Sequence, residues 1–311
     1  AARMESMLSA LAHPDGTLPR FGDTAEGEAP SPTAMTVRER MRSFPRTGML
    51  AIREGGDHLV IDAGPLGSDA QPGHAHADAL SFELSHQHRR VIVDGGAGHY
   101  ETDGWRAYVR GPFAHNGVSV DGEGGDELWG AFRAGGRAHV APLSVSREGT
   151  FDLVEGRVVA HAGWRWHRRF VFAPGRVLVV VDQVEARPEA DVRSHLLFEP
   201  SLQPVVGRDG AWMIGSLRLV RLAGGEWRHH RGDDAAIRGF VSPRLGRFVP
   251  ASALELPAVL VGSVHVAAWA LVMNDAVDVS KTADALSVTV DGASLRLPFA
   301  IEASRATRTA E

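Results

Sequence analysis

The sequence predicts an all-β fold, a large antiparallel β-sandwich preceded by one short α-helix and a linker. From about Gly48 onward, short segments with period-two alternation or β-branched runs repeat, separated by Gly, Asp, Pro and Asn. No helical segments alternate with these strands, which argues against βαβ units. No internal repeat is visible, which makes a propeller a weaker interpretation.

Before the strands, residues 2–13 carry apolar side chains at the spacing of one helix face, and the turn signal His13-Pro14-Asp15-Gly16 ends the pattern. A polar stretch rich in Gly, Pro, Glu and Ser follows to about residue 34. A lone amphipathic helix cannot bury its apolar face by itself. We therefore predict that residues 1–44 are the remnant of a larger helical domain plus a linker, and that residues 45–311 form the sandwich.

The predicted strands are short and share β-branched or alternating composition. They are His58 to Asp62, Leu80 to Leu84, Arg90 to Asp94, Gly117 to Asp121, Phe151 to Val159, Arg168 to Phe172, Arg176 to Val181, Val192 to Phe198, Ser216 to Val220, Val259 to Val264, Val266 to Met273 and Leu286 to Val290. Hairpin turns are predicted near Arg89-Arg90 and Asp209-Gly210.

Composition excludes several functional classes. The chain has 311 residues, a net charge of −5 and no cysteine, so thiol catalysis, disulfides and thiolate metal sites are excluded. Lys281 is the only lysine, which argues against a Schiff-base mechanism. The charge gives no indication of nucleic-acid or membrane binding, and no apolar run approaches the ~20 residues of a membrane-spanning helix. We predict neither nucleic acid nor membrane as a partner.

A metal-binding pattern lies in the segment Gly73 to Leu84. His74, His76 and Asp78 alternate with small residues, so on a strand all three would share one face. Two imidazoles and a carboxylate that converge in this way suit Zn²⁺ or a similar divalent cation. The alternative is a polar loop edge with solvated histidines.

Two further stretches add polar groups near this pattern. Asp94 ends an apolar strand just before Gly95-Gly96, a common way to present a carboxylate at the edge of a site. Between that turn and the next predicted strand, aromatic, guanidinium and imidazole groups come together. From this second stretch we predict substrate contacts by Trp105, Tyr108, Arg110 and Asn116, with packing as the alternative role for Tyr108.

Together these motifs resemble the C-terminal domain of the heparinase II/III-like polysaccharide lyases. The matching segments are residues 73–83, 93–96, 106–110 and 114–122, with weaker similarity at 167–169 and 239–243. The resemblance implies a sandwich of the supersandwich type. It also implies that the N-terminal helix is the last one of an α-helical toroid domain that this chain otherwise lacks.

Carried over position by position, the resemblance implies that His74 is the catalytic histidine of the sandwich. It implies that His76, Asp94 and His115 bind a structural metal ion, usually zinc. The family's catalytic tyrosine and its carboxylate-neutralising Asn or His lie on the toroid. The turn from Ser85 to Arg90 is slightly longer than usual in the family, which bears on the position of Asp94.

The chemistry of these residues fits β-elimination from uronic-acid-containing glycans. The reaction removes the proton α to the uronate carboxylate, and an imidazole, with an ordinary pKa of about 6.5, suits that task. We therefore predict an acidic polysaccharide as substrate. Two alternatives stay open: a non-catalytic glycan-binding or structural sandwich, and a metal-dependent hydrolase. For the metallo-β-lactamase type of hydrolase, Ala79 stands where a further histidine is required.

The remaining candidate histidines are interpreted as exposed or structural residues. We expect His86 and His88, which flank Gln87 in a predicted hairpin, to be exposed, and we expect the same of His229 and His230. His161, Trp164, Trp166 and His167 could stack on sugars, but alternating Trp and His on a strand more often pack at a sandwich core.

Overall fold

A computed structural model describes residues 2–26, 39–68, 70–282 and 285–298. Residues 27–38 of the predicted linker and residues 299–311 at the end of the predicted sandwich lie outside the described residues. Two α-helices are present in the described part, α1 (Ala2–Leu11) and α2 (Gly104–Arg110), with 3₁₀ turns at Pro72–His74 and Pro112–Ala114. No described helix is long and apolar enough to cross a membrane.

The described residues otherwise form short and medium-length strands, as predicted. The first half contains β1 (Met41–Phe44), β2 (Met49–Glu54), β3 (Asp57–Asp62), β4 (Phe82–His86), β5 (Arg89–Ile92), β6 (Val118–Val120), β7 (Leu128–Trp129), β8 (Arg133–Ala134), β9 (His139–Val140), β10 (Ser144–Glu148), β11 (Phe151–Val159), β12 (Arg165–Ala173) and β13 (Val177–Glu185). The second half contains β14 (Val192–Leu197), β15 (Val205–Val206), β16 (Trp212–Ile214), β17 (Leu217–Ala223), β18 (Arg228–Arg231), β19 (Phe240–Arg244), β20 (Arg247–Pro250), β21 (Ser252–Pro257), β22 (Val259–Val261), β23 (Val264–Val272), β24 (Val277–Lys281), β25 (Ala285–Val290) and β26 (Ala293–Pro298).

These strands pair into antiparallel sheets. The largest has ten strands in the order β10-β11-β12-β13-β23-β17-β16-β15, with β9 added on β11 and β22 on β23. A five-stranded sheet runs β1 to β5 in sequence order, and a four-stranded sheet has the order β18-β21-β14-β6. Smaller sheets are β24-β25-β26, β19-β20 and the hairpin β7-β8. The prediction of an all-β antiparallel sandwich is confirmed.

The centre of the ten-stranded sheet is buried on both faces, as its strand β13 shows. Leu178 and Val180 point into a core shared with the five-stranded sheet. Val177, Val179 and Val181 point to the opposite face and pack with the sheet β24-β25-β26. Because side chains alternate along a strand, a continuous apolar run is the sequence signature of a strand covered on both sides.

The N-terminal segment packs on the sandwich rather than extending away from it. Leu11 and Phe21 contact Ala51 and Val60 of the five-stranded sheet in a small apolar cluster. The segment is also tied down by polar contacts, because the buried carboxylate of Glu83 accepts a hydrogen bond from the Arg20 N–H at 2.8 Å. Residues 14–26, predicted as linker, are therefore part of the wall of the sandwich.

Candidate active site and metal centre

The segment that carries His74, His76 and Asp78 is irregular, so the strand on which a shared face would depend is absent. The 3₁₀ turn Pro72–His74 is followed by bends and turns up to Leu80. A Cβ atom at Gly73 would come within 3.2 Å of Phe132, so the glycine permits close packing of this turn on the β7-β8 hairpin. The two histidines consequently face different surroundings: His74 has 54% of its side chain exposed, whereas that of His76 is fully buried.

His76 converges with His115 and Asp78 on one point. One ligand atom from each of these three residues lies within 4.8 Å of the other two. The imidazole rings of His76 and His115 are 5.4 Å apart, centroid to centroid. His115 follows the 3₁₀ turn Pro112–Ala114 directly, and its side chain reaches the cluster from this loop.

Each of the two buried imidazoles holds a carboxylate on one nitrogen and has no partner on the other. Asp23 lies 2.8 Å from His76 Nε2, and Asp94 lies 2.9 Å from His115 Nδ1. The opposite nitrogens, His76 Nδ1 and His115 Nε2, are buried without a hydrogen bond. A histidine bonded to a carboxylate on one side and free on the other is the usual state of a metal ligand, so these residues fit a divalent cation.

The charge of the cluster points the same way. Burial, with a contribution from the charge of Asp94, raises the pKa of Asp62 to about 6. Burial also raises the pKa of Asp78 well above its usual range, with Asp62 adding to the effect. Burial lowers the pKa of His76 to about 4, so its imidazole is neutral at neutral pH, the form that ligates metals. Burial lowers the pKa of His115, but the charge and hydrogen bond of Asp94 outweigh it, so that this pKa is raised. Grouped buried carboxylates beside the neutral imidazole of His76 are favourable for a bound cation.

Of the three predicted metal ligands, His76 and His115 come together, and Asp94 contacts the Nδ1 atom of His115. Both carboxylate oxygens of Asp94 lie 2.9–3.0 Å from His115 Nδ1. Ser81 donates a hydrogen bond to the same carboxylate at 3.0 Å. Asp94 can be a metal ligand beside His115 only if His115 binds the metal through Nδ1; if His115 binds it through the free Nε2, Asp94 is an orienting group behind the ring. In the second case Asp78 is the third ligand, and the ligand set stays a prediction.

His74 lies at the mouth of a cavity of about 510 Å³ that is also lined by Asp23, Asp62, Asp78 and Tyr100. Its Nδ1 is 2.8 Å from Asp23 Oδ2. Rings of Tyr100 and Phe132 stand edge-on to the imidazole, at centroid distances of 5.7 and 5.5 Å. An exposed imidazole held at one nitrogen next to a cavity is suited to proton transfer.

Two residues that sequence reasoning did not assign to the site, Asp23 and Arg106, organise it. Arg106, fully buried on α2, donates to both oxygens of Asp23, at 2.5 and 2.9 Å. Burial alone would raise the pKa of Asp23, but hydrogen bonds and charges from His76 and Arg106 lower it below its ordinary value, so the carboxylate is ionised. Arg106 was visible within its motif. Asp23 carried no local signal, because it lies in a polar stretch with the composition of a linker.

Two of the predicted substrate-binding residues have their polar groups satisfied inside the protein. The Tyr108 hydroxyl donates to the Phe240 carbonyl at 2.7 Å. The Asn116 amide donates to the carbonyls of Phe82 and Val93 and accepts from the Leu197 N–H. Both side chains are buried, so the structure gives them structural roles, and packing, the alternative considered for Tyr108, agrees with its position.

The other two predicted substrate contacts are also drawn into packing. Arg110 is buried and donates to three main-chain carbonyls of the β7-β8 hairpin, those of Trp129, Gly130 and Arg133. Trp105 packs on Phe240 and Phe248, at ring centroid distances of 4.8 and 4.4 Å. Arg110 thus fixes the hairpin that flanks His74. As direct substrate contacts, both assignments stay predictions.

The expectation for His86 is wrong, because the hairpin turn falls at Gln87-His88 and leaves His86 on β4. His86 is buried, and its Nδ1 lies 2.9 Å from Asp57. His88 is exposed, as is His229, whereas His230 is partly buried. Trp164 and Trp166 are buried in the sandwich core and His167 is buried, in agreement with the structural interpretation, whereas His161 is exposed.

Comparison with known proteins places this arrangement in a family. The family model described as "Heparinase II/III-like, C-terminal" matches residues 36–291. The fold is similar to that of a structure described as the heparinase III BT4657 gene product, with TM-score 0.69 and 15% identity over 96% of this chain and 52% of the other. It is equally similar to heparan sulfate lyase HepC from Pedobacter heparinus, with TM-score 0.69 and 16% identity over the same shares.

A further structure described as heparinase III gives TM-score 0.68 and 14% identity, covering 96% of this chain and 54% of that one. The chain therefore spans about half the length of these structures. The search of curated proteins found no match. The family model covers most of the sandwich and all of the cluster except Asp23, and the chain belongs to the heparinase II/III-like C-terminal domain family of polysaccharide lyases.

Proposed function

We propose that this chain supplies the sandwich half of the active site of a polysaccharide lyase that cleaves uronic-acid-containing glycans by β-elimination. The proposal is carried by the closeness of two different histidine environments. His74 is exposed and bonded to the Asp23 carboxylate, and His76, two residues later, lies in the buried cluster with His115. The fold family has the same activity class, and the heparan sulfate lyase with a similar fold indicates acidic polysaccharides as the substrate class.

In this mechanism His74 is the base. Because the ionised Asp23 can only accept, a neutral His74 carries its proton on Nδ1 and its lone pair on Nε2. Nε2 takes the proton α to the uronate carboxylate. The C–H electron pair forms the new C4–C5 double bond, and the C4–O4 bond breaks as the leaving oxygen takes a proton from an acid. We propose that this acid belongs to a helical domain outside this sequence, since the chain spans about half the length of the similar structures.

We propose that His76 and His115 bind a zinc ion together with a carboxylate, Asp94 as predicted from the family or Asp78. Bound there, a divalent cation would supply positive charge that holds the 73–81 segment in place. Its position behind His74 suits a structural role, because His76 is fully buried whereas His74 faces the cavity.

We propose that the exposed aromatic residues beside His74 contact the sugar. Phe132 and Trp129, on the β7-β8 hairpin, are 44% and 48% exposed. Phe132 is the one whose ring stands next to the imidazole. An aromatic face of this kind offers apolar contact to a pyranose ring without competing for its hydroxyl groups.

The test compares His74→Ala with His76→Ala in a protein that carries this chain together with its N-terminal helical domain. Release of unsaturated uronate is followed by its ultraviolet absorbance on heparan-type, alginate-type and hyaluronan-type glycans. We expect His74→Ala to lower kcat by about 10²–10⁴-fold with an unchanged Tm. We expect His76→Ala to lower metal content and Tm first.

Two results would contradict the proposal. Full elimination activity in His74→Ala would remove its role as the base. A protein that binds these glycans but forms no unsaturated product, in the wild type and with the helical domain present, would identify a glycan-binding sandwich instead.

A further inference from the structure

The inference concerns the carboxylate of Asp23, which joins the two histidines of the site. Its Oδ2 lies 2.8 Å from His74 Nδ1, and its Oδ1 lies 2.8 Å from His76 Nε2. We propose that Asp23 is a positioning residue that fixes the tautomer and ring orientation of His74, which rests on the proposed function of His74 as the base. Asp23 precedes the segment matched by the family model, residues 36–291.

Asp23 is held rigidly enough to perform this task. Only 5% of its side chain is exposed, and the guanidinium of Arg106 binds both of its oxygens. Arg106 in turn donates from Nε to the Ala131 carbonyl at 2.9 Å and from Nη1 to the Ala97 carbonyl at 3.1 Å. A carboxylate fixed by a fork-shaped donor has one orientation available, so it imposes that orientation on the imidazole.

The main chain around Asp23 is hydrogen-bonded to the segment that carries His74 and Asp78. The Asp23 N–H donates to the His74 carbonyl at 3.2 Å, so the two residues are joined by main chain and side chain alike. The preceding N–H, of Gly22, donates to Asp78 at 3.0 Å. Gly22 has φ of +55°, and a Cβ there would lie 3.2 Å from the His74 carbonyl oxygen. Glycine therefore allows the two segments to approach this closely.

The segment that carries Asp23 is anchored at both sides to the sandwich. On one side, the Arg20 N–H donates to the buried Glu83 carboxylate. On the other, the Glu26 N–H donates to the Pro243 carbonyl at 2.8 Å. Asp23 is therefore held between two anchored points, in a stretch of chain that precedes the segment matched by the family model.

The expected consequence is chemical. With Asp23 in place, His74 holds its proton on Nδ1 and presents the Nε2 lone pair. In Asp23→Asn, the amide NH₂ can donate to Nδ1 and leave the proton on Nε2, the wrong tautomer for a base acting through that atom. Replacement of the orienting aspartate by asparagine in serine proteases lowers kcat by about 10⁴-fold for this reason. The ring stays in place, so KM changes little.

The tautomer is measured directly by ¹⁵N NMR of histidine-labelled protein, in the protein that carries the helical domain, at a pH where the spectrum shows neutral imidazole. Resonances of His74 are assigned by their loss in His74→Gln. We expect Nδ1–H in the wild type and Nε2–H in Asp23→Asn, with kcat lowered by about 10²–10⁴-fold and KM within about threefold.

Asp57→Asn is the matched control. Like Asp23, Asp57 contacts the Nδ1 atom of a histidine, the buried His86, at 2.9 Å, but it lies at the end of β3 remote from Asp62. Asp57→Asn should affect Tm and leave the His74 tautomer and kcat unchanged.

Four outcomes separate the possibilities. An Nε2–H tautomer in the wild type overturns the proposal even if Asp23→Asn does not fold. An unchanged tautomer in a folded Asp23→Asn, or a changed tautomer with unchanged kcat, also overturns it. If the tautomer changes as expected but the wild type forms no unsaturated product, then Asp23 positions His74 as proposed, and the proposed lyase function is what fails.

Discussion

Asp94 contacts His115 with both carboxylate oxygens, at 3.0 and 2.9 Å from the same Nδ1 atom, and both side chains are fully buried. Two ligand atoms on one tetrahedral zinc, each 2.0–2.2 Å from the metal, are themselves separated by roughly 3.3–3.6 Å. The observed contact is shorter than that spacing and is an ordinary hydrogen-bond distance. It therefore connects the predicted ligand set to a specific experiment.

The first prediction concerns the third ligand. We expect Asp94→Asn to lose stoichiometric zinc, because it removes a charged ligand in contact with His115. We expect Asp78→Asn to retain about one zinc with weaker affinity. Elemental analysis after dialysis and competition with a zinc chelator provide the measurement. Retention of zinc by Asp94→Asn together with its loss from Asp78→Asn would assign the third position to Asp78, leaving Asp94 as the group that orients His115.

The second prediction concerns Phe132, whose ring flanks His74. Phe132→Ala removes an exposed apolar face, and we expect KM for the polysaccharide to rise about two- to tenfold, the effect of losing about 0.5–1.5 kcal/mol of aromatic contact. Phe132→Tyr should retain most of the affinity.

Leu245→Ala is the control for Phe132, because Leu245 is equally exposed, at 45% against 44%, and lies on a different turn. It should leave KM unchanged. Equal KM values in wild type and Phe132→Ala would show that the ring supports His74 without touching sugar.

The sequence predicts the strands well because their periodicity is local. It predicts the two buried histidines of the cluster because family motifs contain them. Residues 74–78 do not form a strand, because alternation of polar and small residues is compatible with more than one conformation. Here these residues lie on a 3₁₀ turn and bends held by distant partners.

Asp23 and α2 illustrate two different limits. Asp23 meets His74 across 51 positions in the chain, and its neighbours have the composition of a linker, so no local pattern indicates the contact. Helix α2 is absent from the prediction, although its start carries a local signal. The Asp103 side chain caps the helix by accepting a hydrogen bond from the Arg106 N–H at 2.9 Å. Such an N-cap is readable from sequence.

The third prediction concerns Arg168, which links the site to the sandwich core. Its guanidinium binds both oxygens of Asp182, at 2.7 and 2.8 Å, and donates to the carbonyls of Leu80 and Asn116. All of these groups are buried. Arg168→Met removes the guanidinium bound to Asp182 and leaves this buried carboxylate with the neutral donors Trp166 and Ser194, so we expect a loss of about 3 kcal/mol in the free energy of unfolding.

Urea unfolding measures this loss, and Arg165→Met, on an exposed position of the same strand, serves as the control and should change stability by less than about 1 kcal/mol. We also expect zinc affinity to fall in Arg168→Met, because the two carbonyls belong to the segments that carry Asp78 and His115. An unfolding free energy within about 1 kcal/mol of the wild type would mean that the network relaxes around the missing guanidinium.

The fourth prediction concerns the pH dependence of stability and uses His195, a buried histidine outside the metal cluster. Burial lowers its pKa to about 4, with Glu255 opposing and Arg238, Arg193 and Arg168 assisting. Its Nε2 lies 2.8 Å from the Ser119 hydroxyl. Below the ordinary pKa of 6.5, the unfolded chain binds a proton that the folded protein excludes, so stability falls as pH drops from about 6.5 towards 4.

For this one residue, the loss between pH 7 and pH 5 amounts to about 2 kcal/mol. Other buried histidines with lowered pKa values, His13 and His58 among them, add to the slope of the wild type. His195→Gln keeps a partner for Ser119 but cannot titrate, so the variant should lose about 2 kcal/mol less than the wild type over the same interval. His88→Gln, at an exposed position, should follow the wild-type curve. Urea unfolding at pH 7 and pH 5 gives all three slopes, and an identical slope for His195→Gln and the wild type would mean that His195 is protonated in the folded protein at pH 5.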